Sequence, residues 1–352
     1  MAVDPDLVEQ IRANTLFLPE VVEQVLNLKL LLKKISEDPE LSQHYVLIGG
    51  TAINLFDKNL PRLSVDLDLD FDQGSTSFEP SLIEHDRAIL TRIAASLDMD
   101  PFEKQRLTER GAEKLRLIFE YRANFARETG QVKFDISYLQ KTMVYDPVQL
   151  SMPMLSEDDP FEGLKFRIAH PCELWAGKAV AVIYKATDDP RPWDVSDLYS
   201  TQLARHLFDV SRIERLIRSQ DSDLDMNSLR KAFILKAVPR VKNLHLLSGD
   251  GVRHCRDHEI ETELDPYLRQ GDNNDIKPQR PTLDEMKESS KDFLHRICSN
   301  VWTDQEKEFV RSFQRSGQYM PHLLFENGSK EYCRVSSSKY LRRCAEDYRE
   351  NK

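Results

Sequence analysis

The chain has 352 residues, 40% of them hydrophobic and 31% charged, with a formal net charge of -10. That length suffices for two moderate cores, and the acidic balance argues against a protein that grips nucleic acid through its overall field. No apolar segment approaches membrane-spanning length and the start, MAVDPDLVEQIRANTLF, is acidic where a secretory signal is basic and then apolar, so a cytoplasmic protein without a membrane partner is expected.

In chain order, LPEVVEQVLNLKLLLKKIS has helical spacing and enters through Pro19; HYVLIGG follows as a short apolar strand closed by glycines. TAINLFD has helical character, PRLSVDLDLDF alternates as a strand, and SLIEHDRAILTRIAASLDMD is a helix closing before Pro101. KLRLIFEYRA and GQVKFDISYLQ are expected to be two strands separated by a turn at Gly130, and the proline-bearing stretch from Pro147 to Pro171 a connecting region. PCELWAGKAVAVIYKATDD and DVSDLYSTQLARHLF are expected helices, and nearly everything periodic after Asp209 is helical, interrupted by the polar loop RQGDNNDIKPQRP. The five cysteines (Cys172, Cys255, Cys298, Cys333 and Cys344) have no CxxC spacing and are expected to be plain thiols.

One segment is chemically unusual. In RLSVDLDLDF, Asp66, Asp68 and Asp70 alternate with Val65, Leu67, Leu69 and Phe71, so the three carboxylates share one face of a strand. Like charges so close either raise one another's pKa or require a counter-cation. Two aspartates one residue apart have backbones roughly 7 Å from each other, within reach of paired magnesium or manganese ions, and oxygen ligands select those metals. Asp135 in VKFDISYL is a third carboxylate that a neighbouring strand can bring to the same ions. Upstream, the Gly49-Gly50-Thr51 turn between strand and helix offers backbone N–H groups and a hydroxyl to phosphate oxygens. Arg62 precedes the aspartate strand and either holds a triphosphate or pairs with an aspartate. Basic residues beside apolar ones, Lys236, Arg240 and Lys242 or Lys339, Arg342 and Arg343, are candidate RNA contacts. His254 and His258 in RHCRDHEIE superficially resemble an inverted zinc-protease motif, but no glutamate stands between them to act as base.

GGTAINLF followed by RLSVDLD resembles the AbiEii/AbiGii nucleotidyltransferase toxins, relatives of the DNA polymerase beta-like superfamily, over roughly Tyr45 to Tyr199. ELWAGKAVAVIYKATDDPRPWDVSDLY is similar to that family's later motif: Lys178 matches its lysine, Asp194 and Asp197 its aspartates, while Lys185 stands where arginine is usual and Arg191 is not contiguous with Asp194. The resemblance implies an α+β fold, a nucleotidyltransferase core of mixed sheet flanked by helices over residues 1–165 and a mainly α-helical C-terminal domain over 166–352. It implies that Asp66, Asp68, Lys178 and Asp194 are catalytic, that Gly49, Gly50, Thr51, Arg62 and Lys185 bind nucleotide, and that Asp66, Asp68 and Asp135 hold Mg2+ or Mn2+. The implied reaction transfers NMP from an NTP to an acceptor hydroxyl, RNA first (the 3′ end of tRNA), in a bacterial toxin–antitoxin or phage-defence setting with a cognate antitoxin. A protein or small-molecule acceptor, and a non-catalytic nucleotide- or antitoxin-binding module, are the alternative readings.

Overall fold

The computed structural model describes residues 3–55, 62–72, 79–109, 112–126, 128–138, 143–152, 155, 159, 161, 163–186, 203–218, 224–241, 244, 260–261, 264–269 and 280–350. Arg191, Asp194, Asp197, Lys242, His254, Cys255, His258 and most of the polar loop therefore lie outside the described residues, as does the side chain of Lys185. The chain forms two compact units, one of Met1–Gln140, Pro147–Ala169 and Asp265–Arg280, the other of Lys141–Asp146, His170–Leu264 and Pro281–Lys352.

The first unit is built on a seven-stranded mixed sheet. Helices α1 (Pro5–Thr15), α2 (Pro19–Glu37) and α3 (Leu41–His44) lead into β1 (Tyr45–Ile48), followed by α4 (Gly49–Asn54), β2 (Asp66–Phe71) and α5 (Pro80–Ala95). Three longer strands follow, β3 (Asp100–Glu109), β4 (Ala112–Arg122) and β5 (Thr129–Ser137), then the short β6 (Val148–Ser151) and β7 (Lys165–Ile168). The spatial order is β3-β4-β5-β2-β1-β7-β6, with β2 parallel to β5, β1 parallel to β7 and the other pairs antiparallel.

Register divides the sheet into two chemically different faces. Tyr45 and Leu47 of β1 align with Phe71 and Leu69 of β2, and Leu67 and Leu69 with Phe134 and Ile136 of β5, which pair in turn with Leu117 and Leu115 of β4. All of these are buried, and α2 and α5 contribute their own apolar residues to this core, among them Leu28, Leu32, Ile83 and Leu90. Each such side chain removed from water contributes roughly 1.5–3 kcal/mol. Asp86 of α5 anchors the layer: it accepts hydrogen bonds from the hydroxyls of Tyr45 and Tyr138, the latter at 2.7 Å. Lys29 of α2 makes a fully buried ion pair with Asp159 at 2.5 Å, and the Asp159 carboxylate also accepts from the Leu155 and Phe161 N–H groups.

Three local expectations are corrected. Strand β3, DPFEKQRLTE, was not expected: as an edge strand it pairs with β4 on one side only, so it carries charges and shows no apolar alternation. The stretch from Pro147 to Pro171 is not a mere connection but contains β6 and β7, each four residues long and too short to show periodicity. Gly130 lies inside β5, opposite Tyr121, and an added Cβ there would come within 2.2 Å of the Tyr121 ring; β4 ends at Arg122 and β5 begins at Thr129, so Gly130 is not the turn.

Among the described residues the second unit contains helices and no strand. It comprises α6 (Pro171–Ala186), α7 (Leu203–Arg218) and α8 (Met226–Ala237), then helices Leu283–Ile297, Asp304–Arg311, Lys330–Ser336 and Lys339–Glu350. Two of these start in reciprocal capping boxes, Thr282 with Glu285 and Thr303 with Glu306, which satisfy N–H groups that would otherwise lack intrahelical partners. No described helix is long and apolar enough to cross a membrane.

Candidate active site

The polar face of the first unit's sheet gathers the acidic residues. Asp66, Asp68 and Asp70 of β2 point away from the apolar core, and the register places Asp135 of β5 beside Asp68. One row across four strands reads Arg116 of β4, Asp135 of β5, Asp68 of β2 and Ile48 of β1; the next reads Ile118, Lys133 and Asp66. Lys114, Ser137, Asp70 and Val46 form a third row. In these three rows, four carboxylates and three cations share one face of the sheet.

The cations answer part of the charge problem raised by the alternating aspartates. Arg116 grips Asp135 with both arms of its fork, Nε donating to Oδ1 at 2.8 Å and Nη2 to Oδ2 at 3.1 Å. Lys133 Nζ is also 3.1 Å from Asp135 Oδ2. Burial pulls the Lys133 pKa down, but the negative charges of Asp135 and Asp66 outweigh it and leave the value raised. Neither cation was singled out in the sequence, although Lys114 and Arg116, two residues apart, and Lys133, two before Asp135, all carry the alternation that marks a common face.

The glycine turn lies directly against this row. Gly49 has φ +74, and a Cβ on it would stand 2.1 Å from Asp68 Oδ2, so the Asp68 carboxylate occupies space that only glycine leaves. A Cβ on Gly50 would meet Ser64 Oγ at 2.7 Å and Arg62 Nη2 at 2.8 Å. The two glycines are therefore flanked by a carboxylate on one side and a guanidinium on the other. Thr51 is buried and its hydroxyl donates to the Asp66 carbonyl at 2.5 Å, tying α4 to the start of β2. Arg62 is buried at 3% exposure, its Nη1 donating to the Leu63 carbonyl at 3.1 Å, while its backbone bridges to Leu268.

Asp66 and Asp68 supply hard oxygen donors from one strand face, a donor set suited to a divalent cation of the magnesium class. As the side chains stand, no group of three or more His, Cys, Asp or Glu among the described residues is arranged to hold a metal ion. The third acid, Asp135, lies in the right row but is turned to Arg116 and Lys133. The aspartate pair offers oxygen donors beside the glycine turn, while Asp135, in the same row, is held by Arg116 and Lys133.

In the second unit, Lys178 of α6 is buried among apolar neighbours and its Nζ lies 2.8 Å from Oδ2 of Asp209 on α7, itself buried. Asp209 escaped the sequence reading because it sits in the run LFDVSRI, where a lone carboxylate has no motif around it. Two cations of the expected basic patches have intramolecular partners: Lys236 pairs with Glu173 at 2.6 Å, and Arg342 donates to the Ser336 carbonyl from both Nε and Nη2. The described cysteines are free thiols; burial pushes Cys172 and Cys298 each up to about 12, leaving them poor nucleophiles.

The sequence matches the family described as "Nucleotidyl transferase AbiEii toxin, Type IV TA system" over residues 30–294. The chain belongs to that family. It is a nucleotidyltransferase toxin of a type IV toxin–antitoxin system, and membership implies an NTP substrate and a cognate antitoxin. Its fold is similar to that of MenT4, a nucleotidyltransferase toxin from Mycobacterium tuberculosis H37Rv, with a TM-score of 0.54 and 13% identity over 95% of this chain and 99% of that one. JHP933 from Helicobacter pylori gives 17% identity over 80% of this chain and 93% of that one, at a TM-score of 0.41. No curated protein matches the sequence significantly. Family membership also replaces the reading of the chain as a non-catalytic binding module.

Proposed function

We propose that this AbiEii toxin transfers NMP from an NTP to a hydroxyl of RNA, at the 3′ end of tRNA, with Asp66 and Asp68 as the residues that hold Mg2+ or Mn2+. The carrying observation is the Asp68 carboxylate pressed against the left-handed Gly49, with Asp66 on the same strand face. A bound divalent cation would polarise the α-phosphoryl group and make the attacking hydroxyl more acidic.

The chain's own residues do the rest. The Gly49-Gly50-Thr51 turn receives triphosphate oxygens on backbone N–H groups, and Arg62 beside Gly50 adds positive charge. Thr51 fixes the turn to β2 through its hydrogen bond to Asp66, so that the phosphate-binding and acidic residues keep one geometry. The acceptor oxygen forms its bond to the α-phosphorus as the α–β phosphoanhydride breaks and pyrophosphate leaves. Lys178, Lys185 and Asp194 enter this reading through the family motif, Lys178 as a charge that strengthens its hold as negative charge moves to pyrophosphate.

Lys114, in the row next to Arg116 and Asp135, supports RNA as acceptor, because it adds a cation for a backbone phosphate beside the aspartates despite the chain's net negative charge. The net charge of -10 mildly favours a protein or small-molecule acceptor, the second reading. Incubation with each α-labelled NTP, magnesium, total RNA and total protein separates them: label in RNA supports the proposal, and label confined to protein or small molecules overturns the acceptor assignment.

A further inference from the structure

We propose that Arg116 is the resident counter-cation of Asp135, and that Asp135 exchanges this guanidinium for a divalent cation when one reaches Asp66 and Asp68. The inference rests on the metal reading of the aspartate pair and adds a residue outside the motif. Strand β5 lies between β4 and β2, so in their shared row Asp135 has Arg116 on one side and Asp68 on the other. Without a cation at Asp68, like charge repels Asp135 from β2 and the planar fork of Arg116 draws it toward β4. A dipositive ion at Asp68 reverses that balance, and a side-chain rotation of Asp135 within the row suffices to change partner.

The surroundings favour exchange over a permanent lock. The Arg116 and Asp135 side chains are 30% and 26% exposed, so water can solvate each group as it leaves the other. Lys133 lies 3.1 Å from the same carboxylate and two residues before it, so positive charge remains beside Asp135 throughout. Arg116 thus sets a threshold for cation binding: the Asp135 carboxylate stays neutralised by protein charges until metal is supplied.

The test titrates the full chain with Mn2+ alone and reads free ion by electron paramagnetic resonance, for the parent, Arg116→Gln, Asp135→Asn and the double variant. Removing the competing guanidinium is expected to tighten Mn2+ binding on the order of tenfold. Asp135→Asn is expected to weaken binding more in the Arg116→Gln background than in the parent, because only there is the carboxylate already released. Melting without metal gives a second readout: Arg116→Gln melts below the parent and gains more from Mn2+. A dissociation constant within twofold of the parent, equal Asp135→Asn effects in both backgrounds, or equal Mn2+ gains in melting would overturn the exchange. Asp68→Asn keeps the two levels apart, since unchanged Mn2+ binding in that variant refutes the metal reading itself, whatever Arg116 does.

Discussion

Gly49→Ala probes the closest approach in the candidate site. At φ +74 any side chain meets a left-handed backbone strain of about 1–2 kcal/mol, and the new Cβ lands 2.1 Å from Asp68 Oδ2. Restoring an ordinary van der Waals separation requires the carboxylate or the turn to move by about 1 Å, a displacement that typically lowers a rate on the order of a hundredfold. Gly163→Ala is a control supplied by the same unit: Gly163 has φ +73, and a Cβ there meets nothing within 4 Å. Both variants are expected to lose a few degrees of melting temperature from strain. Only Gly49→Ala is expected to lose nucleotide transfer, measured as label incorporated per unit of folded protein. Equal transfer by the two alanine variants would mean that the placement of Asp68 against the turn does not matter to the chemistry.

Lys29→Met removes the cation from the buried Asp159 carboxylate and is expected to cost about 3–5 kcal/mol in denaturant unfolding, whereas adding Asp159→Asn, whose single amide oxygen still accepts from one of the Leu155 and Phe161 N–H groups, recovers part of that loss; additive losses would contradict the pairing. Burial raises the Asp86 pKa from the usual 3.8, with the Tyr45 and Tyr138 hydroxyls pulling the other way. The stability tied to its proton is therefore full below pH 3.8 and is lost as pH rises to the folded value, so the parent's melting temperature should fall relative to Asp86→Asn across that window; a flat or rising difference would refute it. Lys178→Met alone removes the ion pair of the buried Asp209 carboxylate with Lys178, at a cost of about 3 kcal/mol, so the role of Lys178 is read in Lys178→Met with Asp209→Asn. That pair is expected to fold yet transfer nucleotide roughly a hundredfold more slowly, and transfer at the parent rate would remove Lys178 from the chemistry.

The elements legible from sequence were those whose pattern is local. The alternation of Asp66, Asp68 and Asp70 with leucines fixed both the strand and its two faces, and the paired glycines marked the turn beside it. Which strands become neighbours is not a local property. The alignment of Asp135 with Asp68 depends on β5 running parallel to β2, and the pairing of Arg116 with Asp135 on β4 lying beyond β5. Sequence spacing supplied the carboxylates but not the cations that neutralise one of them. The same limit hid Asp209, whose partner Lys178 is brought to it by helix packing, and β3, whose edge position relaxes the apolar pattern.

Asp68, held against Gly49, is proposed as part of the nucleotide-transfer site. That role is tested most directly by incubating parent and Asp68→Asn proteins with α-labelled NTP, magnesium and total RNA, and counting label in RNA while melting confirms that both are folded. Label is expected with the parent and none above background with Asp68→Asn, at an unchanged or higher melting temperature because carboxylate repulsion is relieved. RNA labelled by Asp68→Asn at the parent rate would contradict it.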